Sequence, residues 1–237
     1  MKLFLIPFAG GSAVSYLKWK LHFSDEITII PLELNGRGIK SGQPFCKNFQ
    51  EVVETLSNEI NQYVNKDERY FIFGHSMGAL LALEIYYQRL KKKEGLPNAL
   101  FLSGCKPPFL FEKRNVISNL PTEELKNELR RKGGTPEEVL ASNELMDYFL
   151  PMIRADFKLL EEYQFNLEYT KVHCPLVILG GTEDKIEKSE LLQWQSLAHD
   201  PITLHMFKGN HFFIHSYPKE ITKLIEEYLY LLFIECT

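Results

Sequence analysis

The sequence has little of what several classes of protein depend on. Its net charge is −4, so it lacks the positive excess that favours nucleic-acid binding. It contains no run of about 18 uncharged apolar residues, which a membrane-spanning helix requires. Its four cysteines, Cys46, Cys105, Cys174 and Cys236, form no C-x-x-C pair. No group of Cys, His and Asp residues has the spacing of metal ligands. We therefore expect a cytoplasmic protein with reduced thiols, no metal, and neither a membrane nor a nucleic acid as partner.

Short apolar segments of strand type alternate with segments of helical periodicity. This alternation predicts an α/β fold, a mostly parallel central sheet flanked by helices. With 237 residues, 45% of them hydrophobic, the chain suffices for one such domain, 1–237. The predicted strands are Lys2–Pro7, Glu26–Pro31, Arg69–Phe73, Ala99–Ser103, Leu176–Gly180 and Ile202–Phe207. The predicted helices of this framework are Tyr16–Trp19, Asn48–Val64, Ser76–Lys92, Lys188–Trp194 and Pro218–Phe233.

The N-terminus loosely resembles a signal peptide. Its apolar run is short, however, and Gly10-Gly11 follows at once, so we interpret it as the first core strand.

The region 111–166 interrupts the alternation, because no segment in it has the pattern of a strand. Helical patterns cover Pro121–Lys132, Pro136–Ala141 and Glu144–Gln164. Thr135 and Pro136 are expected as N-cap and first-turn proline of the second of these helices. The region predicts a helical lid inserted between two strands. Ordinary crossover helices are the alternative, although one crossover needs far fewer residues.

The pentapeptide Gly74-His75-Ser76-Met77-Gly78 lies between a predicted strand and a predicted helix. In this position a G-x-S-x-G sequence is typical of a nucleophile elbow, the tight turn that exposes a reactive serine in the α/β-hydrolase fold. The helix that follows offers its positive end to developing negative charge. Ser76 is therefore the candidate nucleophile of an acyl-transfer hydrolase.

An activated serine needs a base, and the base needs an orienting acid. In the α/β-hydrolase fold these follow the serine in the order acid, then histidine. Asp184 follows the predicted strand Leu176–Gly180, with Glu183 as a competitor, and His211 follows the last predicted strand, with His215 as a rival. We predict a triad of Ser76, His211 and Asp184.

Stabilising the tetrahedral intermediate requires two backbone N–H donors. One is expected from Met77, the residue after the nucleophile. The other is expected from Ala9, in the loop Pro7–Ala13 after the first strand, where small residues allow the backbone to approach a substrate closely.

Several stretches resemble the type II thioesterases that accompany nonribosomal peptide and polyketide synthases. The most specific is Arg154-Ala155-Asp156-Phe157 in the helical insertion, because generic esterases lack it. The others are Pro7–Ala13 with Trp19, Glu33–Gly38, Gly74–Ala79, Gly133–Glu138, Leu150–Ile153 and Gly209–Phe213. The sequence departs from the family pattern at Phe8, Asn35 and Asn210, which concerns pocket shape and substrate range rather than the catalytic groups.

The resemblance implies a free-standing enzyme that hydrolyses acyl groups held as phosphopantetheine thioesters on carrier proteins. Stalled or wrongly primed chains would be its substrates, and it would need no cofactor of its own. We expect a monomer, and we do not expect the chain-releasing domain of a synthetase, because the chain has the pattern of one self-contained domain. Two alternatives remain open, a hydrolase of acyl-CoA or small esters and a non-catalytic protein that binds carriers.

A basic run ends the predicted elbow helix: Arg89, Lys91, Lys92, Lys93. Such a run could dock an acidic carrier. Solvated cations at a helix C-terminus are the more common alternative.

Overall fold

The computed structural model describes residues 1–65, 68–111 and 116–234. Six strands form one sheet in the order β2-β1-β3-β4-β5-β6, and every neighbouring pair is parallel. The prediction of a mostly parallel sheet flanked by helices is confirmed. The strands are β1 (Lys2–Ile6), β2 (Thr28–Pro31), β3 (Tyr70–His75), β4 (Leu100–Ser103), β5 (Leu176–Gly181) and β6 (Thr203–Phe207).

Apart from the shortest, Phe213–Ser216, the α-helices begin and end within a few residues of the predicted bounds. They are α1 (Phe49–Tyr63), α2 (Met77–Lys92), α3 (Thr122–Lys132), α4 (Glu137–Ala141), α5 (Asn143–Glu162), α6 (Lys188–Leu192), α7 (Phe213–Ser216) and α8 (Pro218–Ile234). Short 3₁₀ helices cover Ala13–His22, Gly38–Lys40, Pro108–Leu110 and Gln193–Ser196. No helix in the described ranges has the length and apolar character needed to cross a bilayer.

Two hydrophobic clusters cover the two faces of the sheet. On one face α1 buries Phe49, Val52, Leu56 and Ile60, which recur at helical spacing, against α2 and the strands. On the other face the apolar side of α8 packs together with the 3₁₀ helix Ala13–His22. Both faces of the sheet are therefore buried, which explains why its strands are nearly continuous apolar runs.

The order of the strands locates the site. From β1 the chain goes outward to β2, then returns to β3 on the other side of β1 and continues towards β6. The loops after β1 and β3 therefore leave neighbouring strands in opposite directions and open a crevice at the carboxyl edge of the sheet. Ligands of open parallel sheets bind at such a point.

Helices α3 to α5 lie between β4 and β5 and enclose a small core of their own, made by Leu125, Leu129, Leu140, Met146 and Ile153. The predicted N-cap of α4 is wrong by one residue. Helix α4 begins at Glu137, and Pro136 occupies the N-cap position with a φ of −57° and a ψ of 142°. The proline ring fixes φ near a helical value but leaves ψ free, so Pro136 can lie just outside the helix.

Helix α7 was not predicted as a separate element. Residues 112–115 of the predicted insertion and Cys236 lie outside the described residues. Among the described cysteines, Cys46, Cys105 and Cys174, no disulfide is formed.

Candidate active site

Ser76 connects β3 to α2 in a strained conformation. Its φ is 54° and its ψ is −113°, and non-glycine residues with positive φ are uncommon. The Ser76 N–H donates to the carbonyl of Ser103 at the end of β4, 2.7 Å away. The surrounding sheet therefore holds the backbone in a shape that it would not adopt alone, and strain of this kind concentrates at functional sites.

The two glycines of the pentapeptide are required by close backbone approach. A methyl group added at Gly74 would lie 2.0 Å from the carbonyl oxygen of Gly78. One added at Gly78 would lie 2.2 Å from the carbonyl oxygen of Ile6 in β1. Backbone atoms cannot move aside as a flexible side chain can, so the turn is possible only without these side chains.

Replacing Gly78 with alanine is expected to destabilise the protein by about 3 kcal/mol, because β1 and α2 must separate to accept the methyl group. Gly42→Ala is the matched control, since nothing lies within 4 Å of the methyl group it would add. Urea denaturation of both variants measures the difference. Equal unfolding free energies for the two variants would contradict the close-approach explanation.

His211 and Asp184 extend a chain of hydrogen bonds from Ser76. His211 Nε2 lies 3.0 Å from Ser76 Oγ, and His211 Nδ1 lies 2.7 Å from Asp184 Oδ2. The Asp184 side chain is 5% exposed and that of His211 is 22% exposed, so the acid is shielded while the imidazole still faces the site. The three predicted triad residues thus lie together with the geometry of a nucleophile, a base and an orienting acid.

The loop that carries His211 is shaped by the residues around it. A methyl group at Gly181, the last residue of β5, would lie 2.6 Å from the carbonyl oxygen of Gly209. Glycine at this position allows the loops after β5 and β6 to touch. Asn210 Oδ1 accepts a hydrogen bond from the Phe212 N–H at 2.9 Å, which turns the chain sharply around His211.

Neither alternative residue occupies a position in the triad. Glu183 also lines the cavity, but its side chain is exposed, and the hydrogen bond to His211 comes from Asp184. His215 lies in α7, where its ring stacks on Phe212. The hydrogen bond to Ser76 Oγ comes from His211.

His75 is a buried neighbour of the site whose contacts the sequence did not reveal. Its Nδ1 lies 2.9 Å from Ser103 Oγ, and Phe8 packs edge-on against its ring. Burial, followed by the nearby imidazole of His211, lowers the pKa of His75 well below its usual range. We conclude that His75 is neutral and supports the turn, as its place in the pentapeptide suggests. Phe8, where the sequence departs from the family pattern, thus provides an apolar contact for the His75 ring.

The two residues expected to supply the oxyanion donors, Met77 and Ala9, both line the cavity that contains Ser76. Met77 is the first residue of α2, so its N–H has no partner within the helix. Gly11 N–H donates to the carbonyl of Phe8, which closes a tight turn, and Gly10 N–H is engaged by a side chain. Among the described residues the N–H of Ala9 has no hydrogen-bond partner, so it remains available to a ligand.

A cavity of about 1010 Å³ opens over Ser76, between the edge of the sheet and the helical insertion. Near the sheet its lining includes Ala9, Ser76, Met77, Asp184 and His211. The insertion contributes an apolar wall made by Leu129, Val139, Phe149, Ile153, Phe157 and Leu160. The volume is at the upper end of the range for small-molecule sites, and the apolar wall suits an acyl chain.

One member of the basic run at the end of α2 is buried. Both interpretations of the run, a docking surface and a set of solvated cations, had placed all four side chains in solvent. Arg89 is 2% exposed and donates to the Gly95 carbonyl and to Asn61. Lys92 pairs with Glu54 at 3.6 Å. The run also lies at the opposite end of a 16-residue helix from Ser76, about 24 Å away along its axis. It is therefore poorly placed to receive a carrier that delivers an acyl group to the serine.

No group of three or more His, Cys, Asp or Glu side chains in the described ranges could hold a metal ion.

Comparison with known proteins identifies the family. The family model described as a thioesterase domain matches residues 1–229. The gramicidin S biosynthesis protein GrsT of Aneurinibacillus migulanus is 32% identical over 95% of this chain and 87% of its own length. The medium-chain S-acyl fatty acid synthase thioesterase of Rattus norvegicus is 27% identical over 90% of this chain and 81% of its own length. The crystal structure of ClbQ, from the colibactin NRPS/PKS pathway, superposes with a TM-score of 0.92 at 33% identity, covering 98% of each chain. The chain thus belongs to the thioesterase family and is a serine hydrolase of the α/β-hydrolase fold.

Proposed function

We propose that this thioesterase hydrolyses acyl groups held as phosphopantetheine thioesters on carrier proteins of a peptide or polyketide synthase. The observation that carries the proposal is the hydrogen-bonded chain Ser76–His211–Asp184 at the floor of a large, partly apolar cavity. Relatives named for gramicidin S biosynthesis and for the colibactin pathway support the choice of substrate. The enzyme would free carriers that are blocked by a stalled or wrong acyl group.

In the first half of the proposed reaction, Ser76 Oγ attacks the thioester carbonyl while His211 Nε2 takes its proton. The carbonyl oxygen becomes an anion that accepts hydrogen bonds from the Met77 and Ala9 N–H groups. As the C–S bond breaks, His211 returns the proton to the pantetheine sulfur. Asp184 keeps the imidazole in the tautomer that accepts a proton at Nε2 and stabilises its charged form.

In the second half, a water molecule replaces the leaving thiol. His211 takes a proton from the water, whose oxygen attacks the carbonyl of the acyl-serine, and then returns that proton to Ser76 Oγ. The products are a carboxylic acid, a free carrier thiol and the unchanged enzyme. The reaction uses only groups of the chain and water, so no cofactor enters it.

The helical insertion, predicted over 111–166, is proposed to act as a lid. It has its own core and supplies the apolar wall of the cavity, while the nucleophile and the base belong to the sheet. A narrow pantetheine arm would enter between these two parts and leave the carrier outside. A bulky acyl group would have to fit beneath the insertion, so the insertion would select the acyl group.

The proposed substrate is tested by presenting one acyl group on three leaving groups. We expect kcat/KM for acetyl-carrier to exceed that for acetyl-CoA by at least about tenfold, because contacts with the carrier add binding energy remote from the reacting bond. Acetyl-CoA carries the same pantetheine arm and is the matched control. 4-Nitrophenyl acetate reports the intrinsic reactivity of the serine.

The other outcomes of this comparison assign other functions. A preference for the free ester would contradict the proposal. Equal use of acyl-CoA and acyl-carrier would favour the acyl-CoA hydrolase, a candidate supported by the likeness to the medium-chain thioesterase of Rattus norvegicus. Repeating the series with octanoyl in place of acetyl would show how much chain length the apolar wall accepts.

A further inference from the structure

A buried ion pair joins the helical insertion to the turn that contains Ala9. Arg37 Nη2 donates to Asp156 Oδ1 and Arg37 Nη1 to Asp156 Oδ2, each at 2.6 Å. The two side chains are only 4% and 2% exposed. Asp156 lies in α5, and Arg37 lies in the segment after β2, so the pair links two parts of the fold that are distant in sequence.

Both members of the pair also bind the backbone of the turn. Asp156 Oδ2 accepts a hydrogen bond from the Gly10 N–H at 2.7 Å. Arg37 Nη1 donates to the carbonyl of Gly11 at 2.8 Å. Gly10 has a φ of 76°, and a methyl group there would lie 3.1 Å from Ile153 Cγ1, so α5 packs directly on the turn.

These contacts determine which N–H groups of the turn can face a substrate. The N–H groups of Gly10 and Gly11 are both occupied, by Asp156 and by the carbonyl of Phe8. Ala9 immediately precedes this fixed stretch and keeps its N–H free within the described structure. The ion pair therefore fixes the peptide groups on the C-terminal side of Ala9 and restricts the direction of its N–H.

Stability alone is a weak explanation for such a pair. Removing two charges from water costs several kcal/mol per ion, and an apolar replacement of both members is often neutral or stabilising. Arg37 Nε, moreover, is buried without a hydrogen-bond partner in the described part of the chain, which adds to the cost. Oxyanion stabilisation, by contrast, depends on donors that are already in place before the reaction.

We propose that Asp156 and Arg37 are positioning residues that hold the Ala9 N–H in the oxyanion site. This inference rests on one part of the proposed function, the role of the Ala9 N–H as an oxyanion donor. It does not depend on a carrier-bound substrate. In consequence, the insertion would contribute to the reaction itself as well as to the choice of the acyl group. The Arg154-Ala155-Asp156-Phe157 sequence would thus contain a residue, Asp156, that the reaction needs.

The test compares two double variants that both remove the buried charges. Arg37→Met/Asp156→Asn keeps an oxygen that can accept from the Gly10 N–H, whereas Arg37→Met/Asp156→Leu has a side chain of similar size without an acceptor. With acetyl-N-acetylcysteamine as substrate, we expect the leucine variant to lose about 100-fold in kcat at unchanged KM, the effect of losing one oxyanion donor. The asparagine variant should recover most of this loss.

A second measurement separates positioning from a general loss of structure. A boronic acid that forms a tetrahedral adduct with Ser76 should bind the leucine variant more weakly by the same factor as kcat falls. Lys2→Met/Glu68→Leu removes another partly buried ion pair, 2.6 Å long, at the start of β1, whereas the turn follows the end of that strand, and should keep the kcat of the unchanged enzyme. Equal kcat in the asparagine and leucine variants, or a loss confined to KM, would overturn the proposal.

Arg37→Lys provides a test if the leucine variant fails to fold. Lysine keeps a positive charge beside Asp156 but lacks the planar fork that reaches both carboxylate oxygens and the Gly11 carbonyl. We expect kcat to fall about tenfold at unchanged KM, because small displacements of a catalytic group are costly. An unchanged kcat in this variant would refute the positioning role. Since the small thioester has no carrier, this result is independent of the carrier experiment.

Discussion

Replacing Ser76 with alanine is expected to reduce thioester hydrolysis by about a million-fold, the size of effect found when a triad nucleophile is removed. The fold should be unaffected, because alanine keeps the Cβ atom of serine and meets the same backbone strain at a φ of 54°. Release of the free thiol from acetyl-N-acetylcysteamine measures the rate. Circular dichroism and urea denaturation check that the variant is folded.

Ser57→Ala is the matched control for this experiment. Ser57 is fully buried in α1, outside the cavity, so losing its hydroxyl tests the general effect of removing a buried serine oxygen. Its kcat should remain that of the unchanged enzyme. If Ser76→Ala kept a rate within tenfold of the original, Ser76 would not be the nucleophile.

The same variant addresses the non-catalytic alternative. A protein that acted only by binding carriers would support product formation in cells equally well with Ser76→Ala. The proposed enzyme would not, because blocked carriers would accumulate. An intact pathway with the inactive variant would therefore favour the binding role.

Replacing Asp184 with asparagine is expected to lower kcat about 10,000-fold. The amide group of asparagine can donate a hydrogen bond to His211 Nδ1, which places the imidazole proton on Nε2. In that tautomer Nε2 donates to Ser76 Oγ and cannot accept the proton of the hydroxyl. Steady-state hydrolysis of the small thioester measures the loss, and KM should change little.

Glu183→Gln is the control for this second prediction, and it also tests the alternative acid. Its side chain is exposed and the 2.7 Å contact with His211 belongs to Asp184, so we expect less than a twofold change in kcat. If the glutamine variant lost more activity than Asp184→Asn, the two roles would be reversed. Unchanged activity in both variants would mean that His211 needs no carboxylate.

The parts of the fold and site that follow local patterns could be predicted from the sequence. Strands buried on both faces must be apolar throughout, and an amphipathic helix such as α1 repeats its apolar residues every three or four positions. The positions of Ser76, Asp184 and His211 were predicted because each follows a strand. Parallel strands bring their carboxyl ends to one edge of the sheet, and the structure brings the three side chains together there.

The parts that depend on pairing between distant segments could not be predicted. Arg37 and Asp156 are separated by 119 residues, and each alone has the pattern of an ordinary charged residue. Arg89 belongs to a run of cations that predicts a solvated helix end, but it is buried and donates hydrogen bonds to Asn61 and to the Gly95 carbonyl. The N-cap of α4 was predicted one residue too early for a local reason: the ring of Pro136 fixes its φ near a helical value but leaves ψ free, so the proline can stand just before the helix as well as in its first turn.

The place of β6 at the edge of the sheet has a consequence for how the enzyme loses activity. In the described sheet β6 pairs with β5 alone, and all five of its residues remain partly accessible to solvent. His211 follows this strand, whereas Ser76 follows the fully buried β3. Local unfolding starts where a segment has few buried contacts, so fraying of this edge would remove the imidazole while the centre of the sheet stayed intact. Mild heating or dilute denaturant would then inactivate the enzyme before the chain unfolds as a whole.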